Sequence, residues 1–184
     1  MEKLNLVHLF QEIGMLSDTP RSGFAFLGSS QQSVAEHSYR MTMIAYYLAK
    51  WSKAPVNREK LLLLCLHHDF PEARTADHNY VNKRYLRVDE SKLYGDYQNE
   101  LPFSQEIIAL LKEYDEGETI EAKIAHDADQ LELLCVLKKE WDLGNKAAER
   151  WFNKVEQRLA TAEAKDLATV LRTTSYDSWW QRLV

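Results

Sequence analysis

Apolar positions along this chain recur every three to four residues and almost never alternate, which is the period of amphipathic helices rather than strands. Leu4, Val7, Phe10 and Met15, with Leu6 and Ile13 beside them, predict a first helix with an apolar side. From Ser17 to Gln32 the period breaks at Pro20, Gly23 and Gly28; loops of that length inside a domain are often functional. Ser33-Val-Ala-Glu36 has the form of a capping box and predicts a second helix running to about Trp51. Asn57 caps a third, which carries Leu61 to Leu66 and ends near Asp69, and Pro71 suits the first turn of a short helix. Between Asp77 and Asn99 the chain is polar and tyrosine-rich, and reads as mixed helix and loop. Further helices are predicted from Ser104 through Leu111 with a stop at Gly117, from Thr119 through Leu143, from Lys146 to Ala164 and from Asp166 to Arg172. A short aromatic tail from Ser175 to Val184 carries Trp179 and Trp180. With no strand alternation, repeat or linker, the pattern predicts one all-α domain over residues 1–184.

Composition agrees with that picture and narrows the function. A chain of 184 residues, 45% hydrophobic and 28% charged, is large enough for one sizeable core. Its net charge of −5 argues against a general nucleic-acid surface. Cys65 and Cys135 sit in apolar helical runs and read as small core residues. The N-terminal segment carries Glu2, His8 and Glu12, so it is not a signal peptide, and no apolar run approaches the roughly 18 residues needed to span a bilayer. The expectation is a cytoplasmic protein with no membrane partner.

Chemistry enters at the end of the run LLLLCLHHD. His68 and Asp69 are adjacent and offer a nitrogen and an oxygen ligand to a divalent cation. At about 100° per residue, His68 falls on the stripe of Leu61 and Leu64, whereas His67 is turned away. His37 lies on the stripe of Met41, Ile44 and Leu48 in the second helix. Taken alone, such a histidine is more often a hydrogen-bonded core residue than a ligand. In IAHDADQLELL, Asp127 and Asp129 are two residues apart and occupy nearly opposite faces, both of them apolar. Periodicity therefore leaves open which aspartate faces the histidines.

The blocks SVAEHSYRM, HHDFPEARTAD and DADQLELL, in this order, resemble the HD-domain phosphohydrolases, in particular the branch that contains 5'-deoxynucleotidases. The likeness extends from about Leu4 to the final tryptophans and implies an HD-domain helical bundle, with a metal-binding core at about 30–143 and C-terminal helices packed on it. It implies that His37, His68, Asp69 and Asp129 ligate one divalent metal ion, of the set Mn, Co, Ni, Fe, Mg or Zn, and so selects Asp129 over Asp127. Two nitrogens and two carboxylate oxygens suit such an ion, which activates water and polarises a phosphoryl group.

The resemblance further implies that Glu72 orients or deprotonates the attacking water and that Asp77 acts near the leaving 5'-oxygen or a metal-bound water. PRSGF is similar to the family's PRTGW-like segment, which makes Arg21 the phosphate clamp and places Phe24 where a tryptophan is common, as a substrate-binding residue packed against the nucleoside or as an anchor of the loop. Lys83 and Arg84 are candidates for a second positive charge. Gln130 stands where relatives often carry lysine, and His78 and His126 match no position of the single-metal pattern. The implied activity is removal of the 5'-phosphate from nucleoside monophosphates, deoxyribonucleotides foremost, by a homodimer. The alternatives are another phosphoester substrate (a nucleoside triphosphate, cyclic nucleotide or guanosine polyphosphate) or a nucleotide-binding module without turnover.

Overall fold

Capping chemistry sets where the helices begin. In a computed structural model that describes residues 2–28 and 31–184, side-chain oxygens of Ser33, Asn57, Asp89, Thr119, Asn145 and Thr161 each accept a backbone amide at a helix start. They open α2 (Val34–Trp51), α3 (Arg58–His67), α5 (Glu90–Glu100), α7 (Ile120–Asp142), α8 (Lys146–Val155) and α9 (Ala162–Thr173). Ser33 and Glu36 close both halves of the capping box. The remaining helices are α1 (Glu2–Met15), α4 (Glu72–Thr75), α6 (Ser104–Glu116) and α10 (Ser178–Gln181). Gly117 ends α6 with φ 64°, a left-handed conformation that glycine adopts without strain. No strand is present among the described residues, where one isolated bridge joins Pro20 to Ser33 across the base of the long loop. Ser29 and Ser30 of that loop lie outside the described residues.

The 23-residue α7 runs through the middle of the molecule and packs against α2, α3, α6, α8 and α9. Its buried residues, among them Ala122, Ala125, Ile124, Leu131, Leu133 and Leu134, point in all directions. A helix that is apolar all round is a buried one, which is why periodicity assigned no outer face to it. A second apolar cluster, built on Val34, Phe70, Tyr97, Leu101 and Ile107, joins α5 and α6 to the turn after α3. The boundary between the two clusters is where the polar cavity opens.

Two expectations need correction. The predicted helix from Lys146 to Ala164 is broken: α8 ends at Val155, residues 156–158 form a 3-10 turn, and α9 starts at Ala162. The break is made by Asp127, whose carboxylate accepts the amides of Ala160 (2.7 Å) and Thr161 (2.8 Å) and the Thr161 hydroxyl (2.6 Å). Local periodicity carries no record of a partner 33 residues upstream. The apolar side of α1 is also not its buried side. Leu4, Val7, Phe10, Ile13 and Met15 are exposed, Phe10 at 64%, while Leu9 and Leu16 make the contacts to the second cluster.

Candidate metal-dependent active site

Four side chains from three parts of the chain converge at one point. His37 comes from the middle of α2, His68 and Asp69 from the end of α3, and Asp129 from α7. His37 Nε2 lies 3.3 Å from His68 Nε2, 3.2 Å from Asp129 Oδ1 and 3.8 Å from Asp69 Oδ2. His68 Nε2 is 3.1 Å from Asp69 Oδ2. His37, His68 and Asp129 each offer one ligand atom within 4.8 Å of the others. His37 is fully buried, and the other three keep only a narrow opening towards the cavity.

The outer ring nitrogens show what the inner ones can do. His37 Nδ1 faces Glu132 Oε2 at 2.7 Å, and a carboxylate can only accept, so Nδ1 carries hydrogen. His68 Nδ1 donates to the Cys65 carbonyl at 2.9 Å. In the neutral rings, both Nε2 atoms then present lone pairs to each other and to two carboxylate oxygens. Such a cluster needs a cation between its members, and two imidazoles with two carboxylates fit a divalent one. Protonation of His37 answers the same need. Burial opposes it, but hydrogen bonds to Asp129 and Glu132 outweigh burial and raise the pKa to about 9. Burial likewise pushes the Asp69 and Asp129 carboxyls up. The histidines and Arg21 more than reverse that, holding Asp129 at about 2 and Asp69 well below the usual carboxylate range.

Asp127 and Asp129, indistinguishable by helical phase, part company in the tertiary structure. Asp127 is spent on the amides at 160 and 161, whereas Asp129 Oδ1 faces His37 and its Oδ2 accepts from Gln130 Nε2 at 2.7 Å.

A cavity of about 500 Å³, within the range of small-molecule sites, opens over the cluster and is lined by Arg21, Phe24, Glu72, Asp77 and Lys83 as well. Arg21 Nη1 bonds Asp69 Oδ2 at 3.2 Å, and its Nη2 is 4.0 Å from Asp129 Oδ1, so the guanidinium sits beside the ligands. Asp77 Oδ2 accepts the Ser22 amide at 2.6 Å, pinning the loop that carries Arg21. Glu72 Oε2 is buried and has no hydrogen-bond partner among the described residues. Burial first, then repulsion by Asp69 and Asp77, lifts the Glu72 carboxyl to about 9 against the pull of Arg21 and Lys83. Lys83 lines the cavity, and Arg84 does not. Phe24 is buried against Trp151, with ring centroids 6.3 Å apart, and so braces the loop. His126 Nε2 donates to the Tyr114 carbonyl (2.8 Å) and lies against that tyrosine's ring; His126 and His78 both line the cavity without joining the four converging side chains.

A family model described as an HD domain matches residues 13–171. The chain belongs to the HD-domain family. Among curated proteins, it is 27% identical over 144 residues to a 5'-deoxynucleotidase of Schizosaccharomyces pombe, covering 73% of this chain and 71% of the yeast protein. It is 28% identical over 136 residues to a 5'-deoxynucleotidase of Danio rerio, covering 71% and 66% of the two chains. A solved structure described as a predicted metal-dependent phosphohydrolase from Magnetospirillum magnetotacticum superposes with a TM-score of 0.71 at 23% identity, covering 92% of this chain and 90% of that one. That likeness speaks for the fold.

Three features of this HD domain escaped the sequence reading. Glu132 is fully buried and accepts from His37 Nδ1, Gln32 Nε2 (2.7 Å) and Arg40 Nε (2.7 Å), with a second bond from Arg40 Nη2. A signal for it existed: Glu132 is three residues after Asp129, on the same side of α7, and is a lone carboxylate in the run LELL. Trp151 and Arg158 also line the cavity. Nothing local in the sequence marks either, because they reach the cavity from beyond the end of α7.

Proposed function

We propose that this HD domain is a metal-dependent phosphohydrolase that removes the 5'-phosphate from nucleoside monophosphates, deoxyribonucleotides foremost. One observation carries the reading: two ring nitrogens and two carboxylate oxygens face a common point, beside an arginine and a glutamate whose buried Oε2 has no hydrogen-bond partner among the described residues, in a single cavity. The curated relatives named 5'-deoxynucleotidase support the choice of substrate.

His37, His68, Asp69 and Asp129 would hold the divalent ion, which, when bound, activates water and polarises the phosphoryl group. Its identity within the set Mn, Co, Ni, Fe, Mg or Zn belongs to the experiment below. Glu132 fixes the His37 ring so that Nε2 faces inward. Arg21 binds the phosphate through its planar fork of donors, and Lys83 adds positive charge at the cavity mouth. Phe24 keeps the Arg21 loop seated. Glu72, ionised once the charge of a bound cation offsets its burial, would take a proton from the attacking water, and Asp77 would guide a proton to the leaving 5'-oxygen as the phosphorus–oxygen bond breaks. The products are a nucleoside and inorganic phosphate.

The same proposal treats residues 1–184 as a single HD domain with its metal-binding core at about 30–143, supported by the family match over 13–171. It places the enzyme in the cytoplasm with its nucleotide substrates, without nucleic-acid or membrane partners; no helix among the described residues is long and apolar enough to cross a membrane. It makes the protein a homodimer. The ridge of Tyr39, Met43, Tyr47 and Trp51, exposed at every fourth residue of α2, supports a second copy there, since ridges of large apolar side chains mark contact surfaces.

The decisive experiment strips the protein with a chelator, restores Mn²⁺, Co²⁺, Ni²⁺, Fe²⁺, Mg²⁺ or Zn²⁺ one at a time, and measures phosphate release from nucleotides. Release with at least one ion is expected, and it should vanish in Asp69→Ala. No release with any ion would overturn the hydrolase reading, and full activity in Asp69→Ala would overturn the site.

A further inference from the structure

The cavity is also lined by side chains that the phosphate chemistry leaves unused, Trp151, Tyr80 and Arg158. Trp151, from α8, lies between two other aromatic rings: Phe24 on one side and Tyr80 on the other, with centroids 6.3 and 6.4 Å away. Its edge fits against Gly23, where an added Cβ would come within 3.2 Å of the indole. Gly23 is two residues from Arg21, so the indole abuts the loop that carries the phosphate clamp. Tyr80 in turn meets Arg158, whose guanidinium stands 5.3 Å from the ring centre and whose Nη1 donates to the Tyr80 hydroxyl. The same Nη1 donates to Gln130 Oε1 at 3.3 Å, and Gln130 Nε2 donates to Asp129 Oδ2.

This wall of rings is therefore tied at one end to the Arg21 loop and at the other to the candidate ligand Asp129. Trp151, Tyr80 and Arg158 all line the cavity. A phosphate held between Arg21 and the ligand cluster leaves its esterified group in the cavity that this wall lines. The guanidinium of Arg158 reaches Gln130, next to Asp129, from the 3-10 turn at 156–158. We propose that Trp151, Tyr80 and Arg158 form the nucleoside-binding wall of the cavity, with the substrate's planar base stacked on the rings and Arg158 donating to its polar edge. The proposal rests on the reading that the substrate is a nucleotide. Stacking of this kind tolerates any base, because every base has a π-face, so the wall recognises a nucleoside as a class.

The test compares kcat/KM for a deoxynucleoside 5'-monophosphate with that for deoxyribose 5-phosphate, which keeps the sugar and phosphate but has no base. In Trp151→Ala the preference for the nucleotide should fall about tenfold, the size of one lost base–aromatic stack. Tyr80→Ala and Arg158→Ala change exposed side chains that the core does not need, and each should lower the preference about threefold. Trp151→Phe, which keeps a ring against Gly23 and Phe24, should fall between wild type and Trp151→Ala. An unchanged preference in Tyr80→Ala, Arg158→Ala and Trp151→Phe would overturn the wall, whatever becomes of Trp151→Ala as a fold. If wild type releases phosphate from neither compound with any ion, the hydrolase reading fails instead. The wall is then decided by calorimetric titration with a deoxynucleoside, where equal affinity in wild type and Arg158→Ala would overturn it.

Discussion

The ligand centre and the turn that follows it lie side by side yet are held in different ways. His37 and Asp129 project from the interiors of α2 and α7, long helices packed against each other, and a buried glutamate clamps the imidazole from behind. Glu72 and Asp77 sit on a four-residue helix and the loop after it, held by isolated polar contacts. Arg74 pairs with Glu12 (2.6 Å) and Glu100 (3.0 Å), Asp77 takes the Ser22 amide, and Ala76 adopts φ 61° where the chain turns. Ligand geometry must persist whatever occupies the site, and packing of long helices supplies that rigidity. Proton-handling carboxylates need a tuned environment more than a deep foundation, and a short turn between two clusters supplies it.

The largest predicted effect separates two carboxylates on one helix. Asp129→Ala should abolish metal binding by calorimetry and reduce phosphate release to background. Asp127→Ala should retain both, while lowering stability by about 1 kcal/mol in thermal or urea melts through loss of the α9 start. Equal loss of activity in the two variants would collapse the distinction.

Next in size is the clamp. Glu132→Gln should weaken metal affinity about 10- to 100-fold, as changes behind a ligating histidine do. An unchanged affinity would mean that α2 packing alone orients the ring.

On the turn and loop side, Arg21→Ala should raise KM about tenfold or more, in line with loss of a charged hydrogen bond of roughly 1.5–3 kcal/mol. A fall in kcat alone would instead assign Arg21 to the transition state.

Glu72 gives a pH signature of defined sign. Its folded pKa is raised to about 9, so in chelated protein its stabilising contribution is complete below the ordinary carboxylate range and drains away as pH rises towards 9. Glu72→Gln should therefore melt progressively higher than wild type between pH 5 and about 9. The reverse trend would show that the carboxylate is better solvated than its burial implies.

The smallest effect is expected at Arg74. Its ion pairs are partly exposed, so Arg74→Ala should cost no more than about 1 kcal/mol. It should act on kcat through the position of Glu72 rather than on metal affinity.

How much of this was legible without a fold depends on the range of each interaction. Helix starts are written in three or four residues, and the capping box at Ser33 and the caps at Asn57 and Thr119 appear where the sequence places them. The membership of α7 in the core was equally plain, but a helix buried all round has no distinguishable face. Only resemblance to a family separated Asp129 from Asp127 in advance. The exposed stripe of α1 and the break at 159–161 were misread because amphipathicity and periodicity report what a helix could bury, not what lies beside it.

The sequence by itself determined an all-helical chain, the capped helix starts at Ser33, Asn57 and Thr119, and a set of histidines and carboxylates in an order that matches the HD domain. These are properties of neighbouring residues, and short-range sterics, capping and hydrophobic period suffice to state them. Tertiary structure decided which of two carboxylates turns towards His37, which buried glutamate orients that ring, and which tryptophan faces the cavity. Each of those depends on groups far apart along the chain meeting at a distance of a few ångströms. Such meetings are set by how whole helices pack, and no local pattern encodes them.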